Sequence, residues 1–116
     1  TPHARYRINS QYSNDPQLRA REPQALDLHP EDAARRGVED GELVRVFNAQ
    51  GEVRVPARLT ADILPGVASL AAGAWPELDE RGTDRAGSPN LLTSTQPTLP
   101  SRGSRTHSVW VEVRPA

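Results

Sequence analysis

Residues 29 to 75 read HPEDAARRGVEDGELVRVFNAQGEVRVPARLTADILPGVASLAAGAW. Pro30 suits a first helical position, because its missing N–H would be an orphan there and its φ is already helical. Glu31 and Asp32 put negative charge at the positive end of the helix dipole, Arg35 and Arg36 complement the other end, and Gly37 stops the helix after two turns. Glu39-Asp40-Gly41 is a turn signal. Leu43 to Phe47 predicts a strand with apolar residues on both sides of a single Arg, hence buried on much of both faces. The return strand alternates, with Val53, Val55, Ala57 and Leu59 on one side and Arg54, Pro56 and Arg58 on the other. Asn48-Ala49-Gln50-Gly51 predicts a hairpin loop in which Asn and Gly take the unusual backbone angles. Pro56, lacking an amide hydrogen, belongs at an edge or a bulge. Pro65-Gly66 turns the chain into a further short strand, Val67 to Leu70. Helix, turn, hairpin and strand follow with few spare residues, which predicts a barrel-like core carrying longer flanks that hold the chemistry.

The flanks are richer in polar residues and Pro. Residues 1 to 25 hold a dense hydrogen-bonding run, Arg5, Tyr6, Arg7, Asn9, Ser10, Gln11 and Tyr12. Asn14-Asp15-Pro16 predicts a turn, Leu18 to Glu22 a single helical turn ended by Pro23, and Gln24 to Leu28 a first strand. After Trp75 about thirty residues read as loop, a length that points to a functional or binding segment. Glu77, Asp79, Glu80 and Asp84 within it read as solvated carboxylates. His107 to Val113 predicts a terminal strand, and Trp75 and Trp110 are the largest apolar anchors, expected in the core.

Composition narrows the possibilities. The 116 residues suit one domain, able to bury on the order of 60 to 70% of its unfolded surface. There is no cysteine, which excludes thiolate-held clusters, a cysteine nucleophile and disulfides. With 14 basic and 15 acidic residues mixed along the chain, no strong field favours nucleic acid or an anionic membrane. No apolar run reaches the roughly 20 residues that span a bilayer. Every basic residue is Arg, a pattern that reads as coding bias, and nothing specifies the compartment. Glycine-rich phosphate loops, a nucleophile elbow and paired His at helical spacing are all missing. His3, His29 and His107 lie too far apart, without Cys, to suggest a metal site. A chain starting TPHARYRINS, without Met, reads as a fragment or a processed product.

The order of the His29 to Trp75 stretch, then DRAGSPNLLTS, then THSVWVEV, with RINSQY near the start, resembles the C-terminal molybdopterin-dinucleotide-binding domain of the dimethyl sulfoxide reductase family of molybdenum and tungsten oxidoreductases. The resemblance covers nearly the whole chain; VRVFN, PGV, GAW and NLLT are its strongest motifs. The tail is most similar to that of dimethyl sulfoxide reductase-like anaerobic dehydrogenases. The resemblance implies a mainly β fold, a double-psi β-barrel of the aspartate decarboxylase-like kind with a few short helices. Residues 1–116 would be one domain that caps molybdopterin guanine dinucleotide, in its bis form with Mo or W, bound mainly by other domains of the same chain. An electron-transfer subunit is a further implied partner, and the domain by itself would be neither catalytic nor metal-ligating. Carried over by position, Arg7, Asn9, Ser10 and Gln11 match the family's N-terminal cofactor loop, while Asn90 and His107 match two further cofactor-contacting positions. A pterin dinucleotide asks for neutral donors and acceptors plus Arg, held on loops by a rigid frame. Without the cofactor, the N-terminal run and the loop from Pro76 to Ser104 are expected to be mobile. Two departures stand out: His29 occupies the place of a usual Asn cap, which implies a weaker helix start, and Pro76 follows Trp75 where an aromatic is common. The alternative is a stand-alone double-psi barrel acting as a protein-interaction adaptor, which would need neither the polar run nor Asn90.

Overall fold

The computed structural model describes residues 1–6, 9–107 and 109–116. Its elements are α1 (Pro16–Arg21), β1 (Leu26–Leu28), α2 (Pro30–Arg36), β2 (Leu43–Phe47), β3 (Glu52–Leu59), β4 (Ala68–Leu70), a 3₁₀ turn at Pro89–Leu91, and β5 (Glu112–Pro115). The strands form one sheet in the order β4-β1-β3-β2-β5, with β1 and β3 parallel and the other pairs antiparallel. The fold is mainly β with few helices. β3 makes the sheet curl: its residues 52 to 56 pair with β2, and 57 to 59 pair with β1. The concave side closes on Leu26, Val44, Val46, Val53, Val55, Leu70 and Val113.

The 29 to 75 stretch folds in the expected order. α2 begins at Pro30 and ends at Gly37, which takes the left-handed conformation at φ 66°. His29 replaces the Asn cap competently, since its Nδ1 accepts from the Glu31 N–H at 3.1 Å. Asp32 does more than complement the dipole. It is buried, and its Oδ2 accepts from the Gly66 N–H at 2.7 Å, tying α2 to the Pro65-Gly66 turn. Beyond the β2–β3 ladder, the Gly41 N–H donates to the Ala57 carbonyl and the Ala57 N–H to that of Glu42, each at 2.8 Å, so two residues oppose one in a bulge. Pro56 directly precedes this bulge, paired with Leu43. The Arg54 N–H, two residues before it, points away from β2 to the Asp84 carbonyl. On that side of Pro56 the β1 pairing has not begun, so no ladder bond is forfeited.

Several expectations are corrected. β2 is buried on one face only: Val44 and Val46 point into the core cluster, whereas Leu43 is exposed and Arg45 and Phe47 are half-buried on the opposite, outer side of the sheet. In the hairpin loop neither Asn48 nor Gly51 has a positive φ. Asn48 shapes the loop by accepting from the Gln50 and Gly51 N–H groups. Gly51 is required by proximity, since a Cβ there would stand 2.6 Å from the Leu91 carbonyl oxygen. β1 is shorter than the run from Gln24, whose side chain instead spans two loops. The terminal ladder begins only at Glu112. Before it, Val109 and Val111 turn inward against the core, and strict alternation puts Trp110 outside, 91% exposed. Trp75 is half-exposed at 49%. Neither Trp is a core anchor; aliphatic side chains fill that space.

Candidate functional site

The long loop after Trp75 is held from within by Asp84. Its side chain is fully buried, and its carboxylate accepts from the backbone N–H groups of Glu77, Ala86 and Ser88. Its main chain bridges Val53 and Leu78. A buried carboxylate is tolerable when several N–H groups replace its water, so the expectation of a solvated group is corrected for Asp84. Asp79, in the same loop, accepts from the N–H groups of Thr83 and Arg81. The bond from Thr83 above all holds its carboxyl below the usual range.

Two further contacts set the turn that follows. Gly87 has φ 84°, and a Cβ on it would meet Val55 Cγ1 at 2.5 Å and Gln24 Cγ at 2.6 Å. The Gln24 amide donates to the Gly87 and Ala71 carbonyls, both at 2.8 Å. Asp84, Gln24 and Gly87 thereby fix the run Ser88-Pro89-Asn90, which continues into the 3₁₀ turn.

Asn90 is exposed on that turn and lines a cleft of about 410 Å³ together with Thr93, Gln96, Arg102, Arg105 and Thr106. It does not act as the cap of the turn. Ser88 occupies that position, without a side-chain cap bond, and its buried hydroxyl has no hydrogen-bond partner among the described residues. His107 is exposed beside a second cleft of about 380 Å³, shared with Arg36, Val67 and Trp110. A small cavity of about 80 Å³ between them is lined by Thr93, Thr106 and His107 alike, so the fold brings the Asn90 and His107 positions into one neighbourhood. Thr1 joins it, its hydroxyl donating to the Thr106 carbonyl at 2.8 Å.

The N-terminal run is placed differently. Asn9, Ser10 and Gln11 are exposed, and the Ser10 carbonyl accepts from Trp75 Nε1 at 2.6 Å. Trp75 borders a third cleft, about 500 Å³, which also involves Ser13, Arg19, Gln24 and Arg85. Arg7 lies outside the described residues. The sequence marks neither Asp84 and Gln24 as scaffolding nor Thr93 and Thr106 as cleft walls, and it marks Asn48 only for its hairpin loop. The D-x-x-G-S spacing at Asp84 was the one available hint, since Asp commonly bonds to backbone a few residues on.

The cleft at Asn90 combines side-chain amides, hydroxyls and two guanidinium groups. Amides and hydroxyls can pair with heterocycle edges, and Arg with phosphate oxygens. This donor set fits a nucleotide-bearing cofactor. It includes no carboxylate to repel a pyrophosphate.

A curled β domain carrying a cleft of this donor type suits the class of cofactor-binding domains. Residues 1–110 match the model of the molydopterin dinucleotide binding domain, and the chain belongs to that family. It is similar to dimethyl sulfoxide reductase DmsA of Escherichia coli, at 37% identity over 111 residues, which is 96% of this chain and 14% of the relative. It is also similar to trimethylamine-N-oxide reductase of Salmonella typhi, at 34% identity over 122 residues with the same two coverages. The chain thus spans about one seventh of the length of these relatives. Among solved structures, acetylene hydratase from Pelobacter acetylenicus shares the fold with a TM-score of 0.81 over 99% of this chain and 18% of that one, at 16% identity. No observation favours the adaptor alternative.

Proposed function

We propose that residues 1–116 form the cofactor-capping domain of a longer molybdenum or tungsten oxidoreductase resembling the dimethyl sulfoxide and trimethylamine-N-oxide reductases. The fold is then the family's double-psi β-barrel, and the cofactor is molybdopterin guanine dinucleotide in the bis form. Other domains of the same chain complete the pocket, and an electron-transfer subunit serves as redox partner. The metal supplies the redox chemistry when bound. This chain's part is to hold the dinucleotide and exclude water, through Asn90 and His107 on the neighbouring clefts, through Asn9, Ser10 and Gln11 at the Trp75 side, and through Arg7 of the same family loop. The observation that carries this reading is the shared Thr93–Thr106 neighbourhood of Asn90 and His107, in a chain whose family binds the dinucleotide.

Loss of one buried hydrogen-bond partner costs about 1 to 3 kcal/mol, equivalent to roughly five- to a hundredfold in cofactor retention. Asn90→Ala and His107→Ala in the full-length enzyme are therefore expected to purify with depleted guanine and molybdenum. Full occupancy in both, with only a lowered melting temperature, would assign the two residues to the fold and remove them from the site.

A further inference from the structure

Three segments meet at Asn48: the β2–β3 hairpin loop, the residues following the 3₁₀ turn, and the extended run leading into β5. Asn48 Nδ2 donates to the Leu92 carbonyl at 2.8 Å and to the Trp110 carbonyl at 3.1 Å. Its Oδ1 accepts from the N–H groups of Gln50 at 2.8 Å and Gly51 at 3.3 Å. The amide's two donor hydrogens and two acceptor sites are thus all used. Shaping the hairpin loop requires only the acceptor, and Asp serves that purpose as well as Asn. Only an amide can also donate to two carbonyls from otherwise separate parts of the chain.

Those carbonyls stand two residues beyond Asn90 and three beyond His107. Gly51 reinforces the approach, because its bare backbone lies where a Cβ would collide with the Leu91 carbonyl oxygen. We propose that Asn48 is a positioning residue: its single side-chain amide sets the spacing between the Asn90 turn and the His107 segment, and thereby how tightly the pterin dinucleotide is gripped between them. This rests on the function proposed above. Asn48 itself need not touch the cofactor.

Asn48→Asp separates the two halves of the amide's work. The carboxylate still accepts from Gln50 and Gly51, but it turns an acceptor toward two carbonyls and loses the bridge. In the full-length enzyme, release of the pterin guanine dinucleotide is timed by fluorescence of its oxidised pterin, beside melting temperatures. The comparison includes Asn48→Asp, Asn48→Ser, Asn90→Ala, His107→Ala and the buried β2 control Val44→Ala. Asn48→Asp is expected to release cofactor about fivefold faster or more. Val44→Ala should keep the wild-type release rate despite an equal or greater fall in melting temperature. Should Asn48→Asp not fold, Asn48→Ser carries the same expectation, its hydroxyl being too short to reach both carbonyls. Wild-type release from the Asn48 variants, with Asn90→Ala or His107→Ala depleted, would overturn the positioning role and leave the site standing. Equal acceleration in Val44→Ala would overturn it too, as general loosening. Full retention in both Asn90→Ala and His107→Ala would instead overturn the site, and this inference with it.

Discussion

Glu52 accepts two hydrogen bonds from the Arg45 guanidinium across the β2–β3 ladder, at 3.1 and 2.9 Å. That fork-to-carboxylate geometry is the strong form of an ion pair. It also relieves the sheet's outer face, where Arg45 lies between its ladder partners Arg54 and Arg114. The Arg45 hydrogen bonds are the chief cause of a Glu52 carboxyl held below the usual range, with partial burial opposing them. A lowered folded value means that the unfolded chain binds the proton more readily. The resulting stability is therefore present above the ordinary glutamate range and lost as pH falls through the lowered value. In urea titrations, Arg45→Met is expected to lie below wild type at neutral pH and to converge with it in acid. A gap that does not change with pH would show that the guanidinium contributes only packing, such as its place over the Phe47 ring, 5.0 Å from the centroid.

Two glycines at element ends separate backbone conformation from crowding. Gly37 ends α2 at φ 66° in open space, with nothing within 4 Å of an added Cβ. Gly87 has a similarly positive φ but is pressed between Val55 and Gln24. Gly37→Ala should cost about 1 kcal/mol, the left-handed penalty alone. Gly87→Ala adds overpacking of about 1 to 3 kcal/mol. The larger loss should therefore fall at Gly87, read from denaturant midpoints at constant slope. Equal losses would mean that the Gln24 side chain yields freely and does not fix the turn before Asn90.

Across the molecule, the core is drawn from all five strands, α2 and the 3₁₀ turn through Leu92. That cluster is built of Leu, Val and Ala side chains packed on one another, so the chain is expected to fold by itself in metal-free buffer. It should give β-rich circular dichroism and one cooperative thermal transition, with no reductase activity toward reduced dyes. A disordered spectrum would overturn this. The long loop divides in two. Its first part, through Leu92, is held by Asp84, Gln24 and Asn48, whereas residues 95 to 97 and 99 to 104 are exposed and Thr98 bonds back to Gly103 within the same segment. Backbone order parameters below about 0.6 are expected for residues 95 to 104 and rigid values, near about 0.85, for 77 to 92. Uniform values across both would refute the division.

The sequence by itself determined α2 and its two ends, the β2–β3 hairpin and the alternation of β3, because capping, turn chemistry and side-chain period depend on neighbours a few residues away. It also carried the family motifs that point to Asn90 and His107. Only the tertiary structure decided which polar side chains are buried and to what they are tied. Asp84 looks in sequence like Glu77, Asp79 and Glu80; Asp79 also gathers two loop N–H groups, but only Asp84 is fully buried, with three N–H groups on its carboxylate and its main chain joined to Val53. Trp110 is outside because Val109, Val111 and Val113 satisfy the core on the opposite side of an extended segment. Asn48 reaches partners 44 and 62 residues away. A polar group's burial depends on where distant backbone N–H and C=O groups come to lie, and local propensity holds no information about that.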